Sequence, residues 1–241
     1  MPMGKESLAM KRELWQIADS DKAEIMQRFF KTGRGEYAEG DVFLGVTVPK
    51  VRQLVKKYWR NLETAEIVSF LQSRYHEERL MALFVFVAKF EKKDEASQKE
   101  IFDLYLANTE FINNWDLVDL SAPNIVGAYL LKNRDRAVLR RLARSKILWE
   151  RRIAMLATFC FIKEGEATFA LEIAEILVND RHDLIQKAVG WMLRETGKRC
   201  GQDIEEEFLK KYYKTMPRTM LRYAIERFDA AKRDHYLGRV K

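Results

Sequence analysis

Cysteine and histidine are scarce in this chain, and their scarcity excludes several kinds of site. Cys160 and Cys200 are the only cysteines among 241 residues and do not form a CxxC pair. A small fold held by disulfides is therefore excluded, and the pattern is typical of a reducing cytoplasm. His76, His182 and His235 are isolated in sequence from each other and from cysteine. We expect them at the surface or at helix ends, with no metal, no histidine-based triad and no cofactor.

Long apolar runs and alternating strand patterns are also missing. No stretch approaches the ~18 uninterrupted apolar residues that a membrane span requires, and the N-terminal segment has no apolar core of a signal peptide. We therefore expect a soluble, cytoplasmic protein. Apolar residues instead recur at helical spacing almost throughout, which predicts an all-α fold. Three of the four prolines follow Thr or Ser by two residues and predict helix starts, namely Pro49, Pro123 and Pro217.

Glycine is concentrated in one segment. Four of the eleven glycines fall within residues 32–47, TGRGEYAEGDVFLGVT, which predicts a long loop between helices. The Gly33-x-Gly35 pattern could suggest a phosphate cradle. No strand precedes it and no Gly-Lys-Ser/Thr follows it, so a connecting loop explains the segment better.

The positive charge is segregated along the chain. The net charge is +7, yet residues 132–152 alone sum to +7 and residues 208–241 to another +7, which leaves −7 for the remainder. Two basic blocks on an otherwise acidic protein are typical of a surface that binds a polyanion, with nucleic acid the leading candidate. Two solvated helix faces are the alternative.

Similar segments recur along the chain. RLMALFVF, RIAMLATF, KAVGWML and RYAIERF begin at Arg79, Arg152, Lys187 and Arg222, which are 73, 35 and 35 residues apart, and the missing member falls near Trp115. A period of about 36 predicts a solenoid of about six helical pairs, as one domain over residues 1–241. The second helices of the pairs would then line one concave basic face. Alternatively, the alkyl stems of these basic residues merely cover the core.

Tryptophan lies about one helical turn from a charged residue in three segments, and in two of them the charged residues are basic. Trp115 and Asp119 share a helix face if the helix holds through NNWDLVDLSAP. From the residues alone, capping of a helix near Pro123 by Asp119 or Ser121 explains this aspartate better than catalysis does. The other two segments suit contacts to a nucleic-acid backbone and bases, with core packing as the alternative for each tryptophan; they contain Trp149, Arg151 and Arg152, and Lys187, Trp191 and Arg194.

Four segments in this order give the chain a family resemblance: FFKTGRGEYAEGDVFLGVTVPKVRQL, NNWDLVD, ERRIAML and QKAVGWMLRE. Together they resemble the AlkD-like DNA alkylation repair glycosylases over nearly the whole chain. The resemblance implies HEAT-like helical repeats that wrap duplex DNA in a concave cleft, and a monofunctional enzyme that removes 3-methyladenine or 7-methylguanine. It also implies that Asp119 is catalytic, with Trp115, Trp191 and Arg152 in the cleft and Arg194 near the DNA backbone.

The chemistry of such a lesion suggests what these residues would do. A cationic alkylated base is a good leaving group, so breaking its glycosidic bond builds oxocarbenium character on the sugar. Asp119 would stabilise that charge and orient the attacking water. The cleft tryptophans would face the cationic lesion. The residues that would bind DNA are Arg79, Trp149, Arg151, Arg152, Lys187, Arg194 and Arg222.

The predicted partner is therefore double-stranded DNA that contains alkylated bases, bound by a monomer that associates with the nucleoid. A hypothesis from another class is a non-catalytic helical-repeat scaffold that binds nucleic acid or an acidic protein. Asp119 buried as a helix cap, with Trp115 in the core, would favour the scaffold.

Overall fold

In a computed structural model the chain is described over residues 4–92 and 94–238 and forms two compact units, one ending at Ser121 and one beginning at Ala122. Helices make up the regular structure of this described part, and an isolated bridge between Val42 and Tyr75 is its β-type pairing. The predicted all-α fold class is confirmed. The prediction of a single domain stays a prediction.

The first unit is organised around one long buried helix. The α-helices of this unit are α1 (Lys5–Gln16), α2 (Ser20–Phe29), α3 (Val48–Tyr58), α4 (Thr64–Leu71), α5 (His76–Lys92), α6 (Glu95–Ala107) and α7 (Trp115–Ser121). The long buried helix is α5, whose residues 80–86 are continuously apolar and buried, so it is covered on all sides by its neighbours. Helices α3, α4, α6 and α7 pack directly against it.

The glycine-rich segment forms the predicted loop, and α5 holds its second half. The Glu77 carboxylate accepts hydrogen bonds from the backbone amides of Leu44, Gly45 and Val46 at 2.8, 2.8 and 3.0 Å. Gly45 has a φ of +79°, and a Cβ there would stand 2.0 Å from the carbonyl oxygen of Asp19. This position therefore requires glycine both for its backbone conformation and for close packing.

The second unit is built from two layers of helices. Its α-helices are α8 (Ala128–Asn133), α9 (Arg136–Ala143), α10 (Leu148–Ala157), α11 (Phe159–Lys163), α12 (Thr168–Leu177), α13 (Asp183–Arg199), α14 (Gln202–Tyr212), α15 (Arg218–Ala224) and α16 (Ala230–Leu237). In one layer α10 packs on α13 and α13 on α15, while in the other α9 packs on α12; α13 also contacts α12 and α14. This arrangement is that of stacked helical pairs.

Polar contacts between successive pairs of the second unit recur at a separation of 32 residues. They join Arg140 to Glu172, Arg194 to Glu226 and the Arg152 guanidinium to the Leu184 carbonyl. A repeat of about 36 residues places equivalent helices side by side, and a side chain that reaches one helical turn back on its neighbour meets a partner about four residues earlier. The contacts therefore agree with the predicted period.

Two of the three predicted proline-marked helix starts are confirmed. Pro49 lies in the first turn of α3 behind Thr47, and Pro217 directly precedes α15. At Pro123 a helical segment also begins, Pro123–Gly127, but it is π-helical and follows α7 directly, and Ser121 belongs to the end of α7 instead of capping the new segment. None of the helices in the described residues is both long and apolar enough to cross a membrane.

Candidate functional site

Helix α7 carries the predicted pair of Trp115 and Asp119 in the first unit. Asn114 directly precedes the helix, and its Oδ1 accepts a hydrogen bond from the Trp115 amide at 2.8 Å. The helix then holds through Ser121, so Trp115 and Asp119 lie one turn apart on the same face, as predicted. Both side chains are half-buried and reach solvent in part.

Neither Asp119 nor Ser121 caps a helix near Pro123, which was the alternative role expected for them. Asp119 lies inside the helix, and the Ser121 hydroxyl donates to the Leu117 carbonyl at 2.5 Å within the same helix. The Tyr105 hydroxyl contacts Ser121 at 2.9 Å. Burial raises the pKa of Tyr105, and the nearby negative charge of Asp119 adds to that effect. Asp119 thus lies near a buried pair of hydroxyl groups and is itself partly exposed.

Trp115 is part of a series of aromatic rings. Its indole stacks on Phe30 with ring centres 5.2 Å apart, and Phe30 stacks on Phe43 at 4.9 Å. Phe29 meets the indole edge-on at 6.0 Å while remaining 64% exposed. The indole is therefore oriented by packing without being enclosed in the core.

The stack continues to a buried histidine. His76 opens α5, which agrees with the expected position at a helix end, but it is only 1% exposed and so does not lie at the surface. Its Nδ1 lies 2.9 Å from an Asp41 carboxylate oxygen and its Nε2 lies 2.8 Å from Asp116. A signal was present in the sequence: four consecutive polar residues, HEER at 76–79, directly precede an apolar run.

The charges in this cluster support one another. Burial lowers the pKa of His76, but the negative charges and hydrogen bonds of Asp116 and Asp41 outweigh it and raise the pKa to about 9. For Asp41 burial acts in the opposite direction and raises the pKa. The hydrogen bond from His76 and the charge of Arg79 outweigh burial, so the pKa of Asp41 lies below its usual value. The imidazole is thus a buried cation between two carboxylates.

In the second unit, α13 carries three of the predicted residues. Trp191 is half-buried, with Phe159 6.2 Å from it between ring centres. Lys187 pairs with Asp183 at 2.6 Å, and Arg194 pairs with Glu226. Spacings of four and three residues place these side chains along one helix face.

Three predicted DNA contacts are buried, which does not fit direct binding. Arg79 is 3% exposed and its guanidinium is engaged by the Asp41 carboxylate and the Ser73 carbonyl. Trp149 is 7% exposed in the core. Arg152 is 5% exposed and donates to the Leu184 carbonyl at 2.6 Å, at the start of α13. Arg79 and Arg152 therefore hold neighbouring segments in place, because the guanidinium group of each is buried and donates hydrogen bonds to those segments.

The exposed cations of the first basic block lie outside the layer that the repeat predicted. They lie on α8, on α9 and in the segments directly after these two helices, whereas the repeat assigned the basic face to the layer of α10, α13 and α15. Arg140 pairs with Glu172, and Arg151 pairs with Asp180 at 2.7 Å. Part of the block therefore joins successive helical pairs. Arg222, in the second block, is exposed on α15 as predicted.

Comparisons with known proteins agree with these observations. Residues 10–228 match the family described as DNA alkylation repair enzyme. The fold is similar to that of a predicted DNA alkylation repair enzyme from Enterococcus faecalis, with a TM-score of 0.68, 16% identity, and coverage of 88% of this chain and 97% of that one.

Two structures from Streptococcus mutans are also similar. For AlkD2 the TM-score is 0.56 at 17% identity, over 88% of this chain and 99% of that one. For smu.31 of strain UA159 the TM-score is also 0.56 at 17% identity, and the match covers 93% of this chain and 100% of that one. At such identities the likeness establishes the fold, and it confirms the predicted all-α, helical-repeat class. No curated protein matches the chain.

Proposed function

Since this chain belongs to the DNA alkylation repair enzyme family, we propose that it is a monofunctional DNA glycosylase. Its substrates are cationic alkylated purines, 3-methyladenine and 7-methylguanine, in duplex DNA. It releases the base by hydrolysis of the N-glycosidic bond.

The arrangement of α7 is the observation that carries this proposal. Trp115 and Asp119 share one face, both reach solvent, and Asp119 is inside the helix rather than at a terminus that it could cap. The scaffold hypothesis needed a capping aspartate and a core tryptophan. An aromatic face next to a carboxylate suits a reaction in which positive charge develops on a sugar beside a cationic base.

Each group then has a defined role in the reaction. As the glycosidic bond to the cationic base lengthens, positive charge moves onto the deoxyribose. The Asp119 carboxylate stabilises that charge and accepts a proton from the attacking water, while the neutral base departs with the bonding electrons. Trp115, fixed by its stack on Phe30, supports the sugar and lesion through its ring face.

The second unit supplies DNA contacts from α13 and α15. Trp191 offers a partly exposed ring, and Lys187, Arg194 and Arg222 supply cations for phosphates. Arg152 acts indirectly, because its bond to the Leu184 carbonyl fixes the start of the helix that carries these residues. Binding should weaken as salt rises.

Release of free base from methylated duplex DNA tests the proposal. The wild type is compared with Asp119→Asn, which keeps the size of the side chain and removes its charge, and with Asp103→Asn as a matched control. Asp103 is an exposed residue of α6 paired with Lys99. Chromatography identifies the released base and gives its rate.

We expect 7-methylguanine release by the wild type and by Asp103→Asn, and a loss of about 100-fold or more in Asp119→Asn. Equal release by wild type and Asp119→Asn would remove the catalytic role of this aspartate. No release by the wild type, together with tight duplex binding, would favour the scaffold.

A further inference from the structure

The buried cluster around His76 connects the glycine-rich loop to the helix that carries the candidate catalytic pair. His76 meets Asp41 from the loop through Nδ1 and Asp116 from α7 through Nε2, at 2.9 and 2.8 Å. A carboxylate oxygen accepts hydrogen bonds, so each ring nitrogen has to donate one. The geometry therefore requires the doubly protonated imidazolium.

The charged groups that face this imidazolium form a balanced set. Asp41 comes from the loop, Asp116 from α7 and Arg79 from α5 itself, where its guanidinium bonds the second oxygen of Asp41. The carboxylate of Glu77, the next residue of α5, is occupied by three loop amides. Two cations and two anions thus compensate one another in a site where His76, Asp41 and Arg79 are buried and Asp116 is partly exposed.

A second route leads from His76 to Trp115 through stacked rings. The imidazole lies on Phe43 with centres 4.3 Å apart and planes at 19°, Phe43 lies on Phe30 at 21°, and Phe30 lies on Trp115 at 16°. A cation on the first ring strengthens this stack, because ring faces attract positive charge. His76 therefore acts on Trp115 both through Asp116, its neighbour in α7, and through the rings.

We propose that His76 is a positioning residue that fixes the first turn of α7, and with it the indole of Trp115, by bridging Asp41 and Asp116 as an imidazolium. The role of Trp115 in base release rests on the proposed function; its orientation by His76 does not. Loss of the imidazolium removes a hydrogen bond that His76 donates to one of the two carboxylates, and the start of α7 loses its link to the loop. Because Asp119 follows one turn later, the catalytic pair then loses its alignment.

The test compares His76→Gln with the double variant His76→Gln/Asp116→Asn. A glutamine amide donates to one carboxylate only and turns its own oxygen toward the other. Asparagine at 116 removes that conflict, because its amide can donate to the glutamine oxygen. His235→Gln, at an exposed position of α16, is the control for loss of a histidine.

Two readouts separate positioning from stability. Fluorine NMR of protein labelled with fluorotryptophan reports on Trp115, whose signal is assigned by its loss in Trp115→Phe, with Trp59 as the reference. Single-turnover base release at saturating enzyme, together with the duplex Kd, separates the chemical step from binding.

In His76→Gln we expect the Trp115 signal to move, the Trp59 signal to stay, and the single-turnover rate to fall about 10- to 100-fold with Kd changed less than about twofold. The double variant should recover both signal and rate, and His235→Gln should match the wild type. In the wild type the Trp115 signal should change as the pH rises through about 9.

An unmoved Trp115 signal in His76→Gln would overturn the proposal, as would failure of the double variant to restore it. If the wild type releases no base, the proposed function fails while the fluorine signal still decides the positioning role. If His76→Gln does not fold, the pH titration of the wild type decides, and a signal that is constant across pH 8–10 would contradict the proposal.

Discussion

Replacing Glu205 by glutamine should stabilise the protein increasingly as pH rises. Glu205 lies on α14, 2% exposed, and its Oε1 has no hydrogen-bond partner among the described residues. It packs against Gly197, where a Cβ would stand 1.9 Å from the carboxylate. Burial, with a smaller contribution from Glu206, raises the pKa of Glu205 to about 8, although the charge of Arg194 opposes the shift.

The sign and size of the effect follow from that pKa. The unfolded chain loses this proton near pH 4.5, whereas the folded protein keeps it to about pH 8, so the free energy of unfolding falls between these values and is level above them. Relative to its value well below pH 4.5, the free energy of unfolding is lower by about 3 kcal/mol at pH 7 and by under about 1 kcal/mol at pH 5. The amide introduced by Glu205→Gln does not titrate, so the substitution removes this loss.

Urea unfolding at pH 5, 6, 7 and 8, followed by circular dichroism, measures the difference between wild type and Glu205→Gln. A constant offset reflects packing of the amide, so the informative quantity is the growth of the difference with pH. Glu207→Gln, exposed on the same helix, is the control and should show no growth. If the difference in the free energy of unfolding between wild type and Glu205→Gln is equal at pH 5 and pH 8, Glu205 does not have the raised pKa on which this prediction depends.

Three further predictions follow from the packing and charges. The His76 pKa of about 9 lies above its ordinary 6.5, so its stabilisation, present below pH 6.5, is lost as pH rises through 9; the wild type should lose about 3 kcal/mol of unfolding free energy over that range and His76→Gln should not. Gly190→Ala should lower the Tm and cost about 1–3 kcal/mol, because its Cβ would stand 2.4 Å from the Met220 carbonyl oxygen; an unchanged Tm would contradict the close packing of α13 on α15. In duplex binding measured across salt concentrations, Arg222→Ala should reduce the slope by about one, whereas buried Arg152→Ala should leave it unchanged; the reverse result would show that Arg152 is the phosphate contact.

Local periodicity made much of the fold predictable. Helical spacing, the recurrence of basic residues at the start of buried helices, and the Trp115–Asp119 spacing are all properties of nearby residues, and the structure contains the helices that they predicted. The loop at 32–47 was equally clear from its glycines. These signals depend on residue types and their spacing along the chain and need no knowledge of which residues meet in the folded protein.

The burial of particular basic and aromatic residues could not be predicted from the sequence. Arg79, Trp149 and Arg152 were assigned to an exposed face because basic and aromatic residues are typical of DNA-binding surfaces, yet each is buried. The partners that stabilise Arg79 and His76 include Asp41, 38 and 35 residues away. Pairing across such separations is set by how helices pack and leaves little trace in local patterns.

Single-turnover release of 7-methylguanine from methylated duplex DNA, at enzyme concentrations that saturate the DNA, is the decisive measurement for the proposed glycosylase activity. The wild type should release the base, and the rate should be lower by about 100-fold or more in Asp119→Asn at the same DNA occupancy. Equal rates for the two proteins, or bound DNA from which the wild type releases no base, would contradict this proposal.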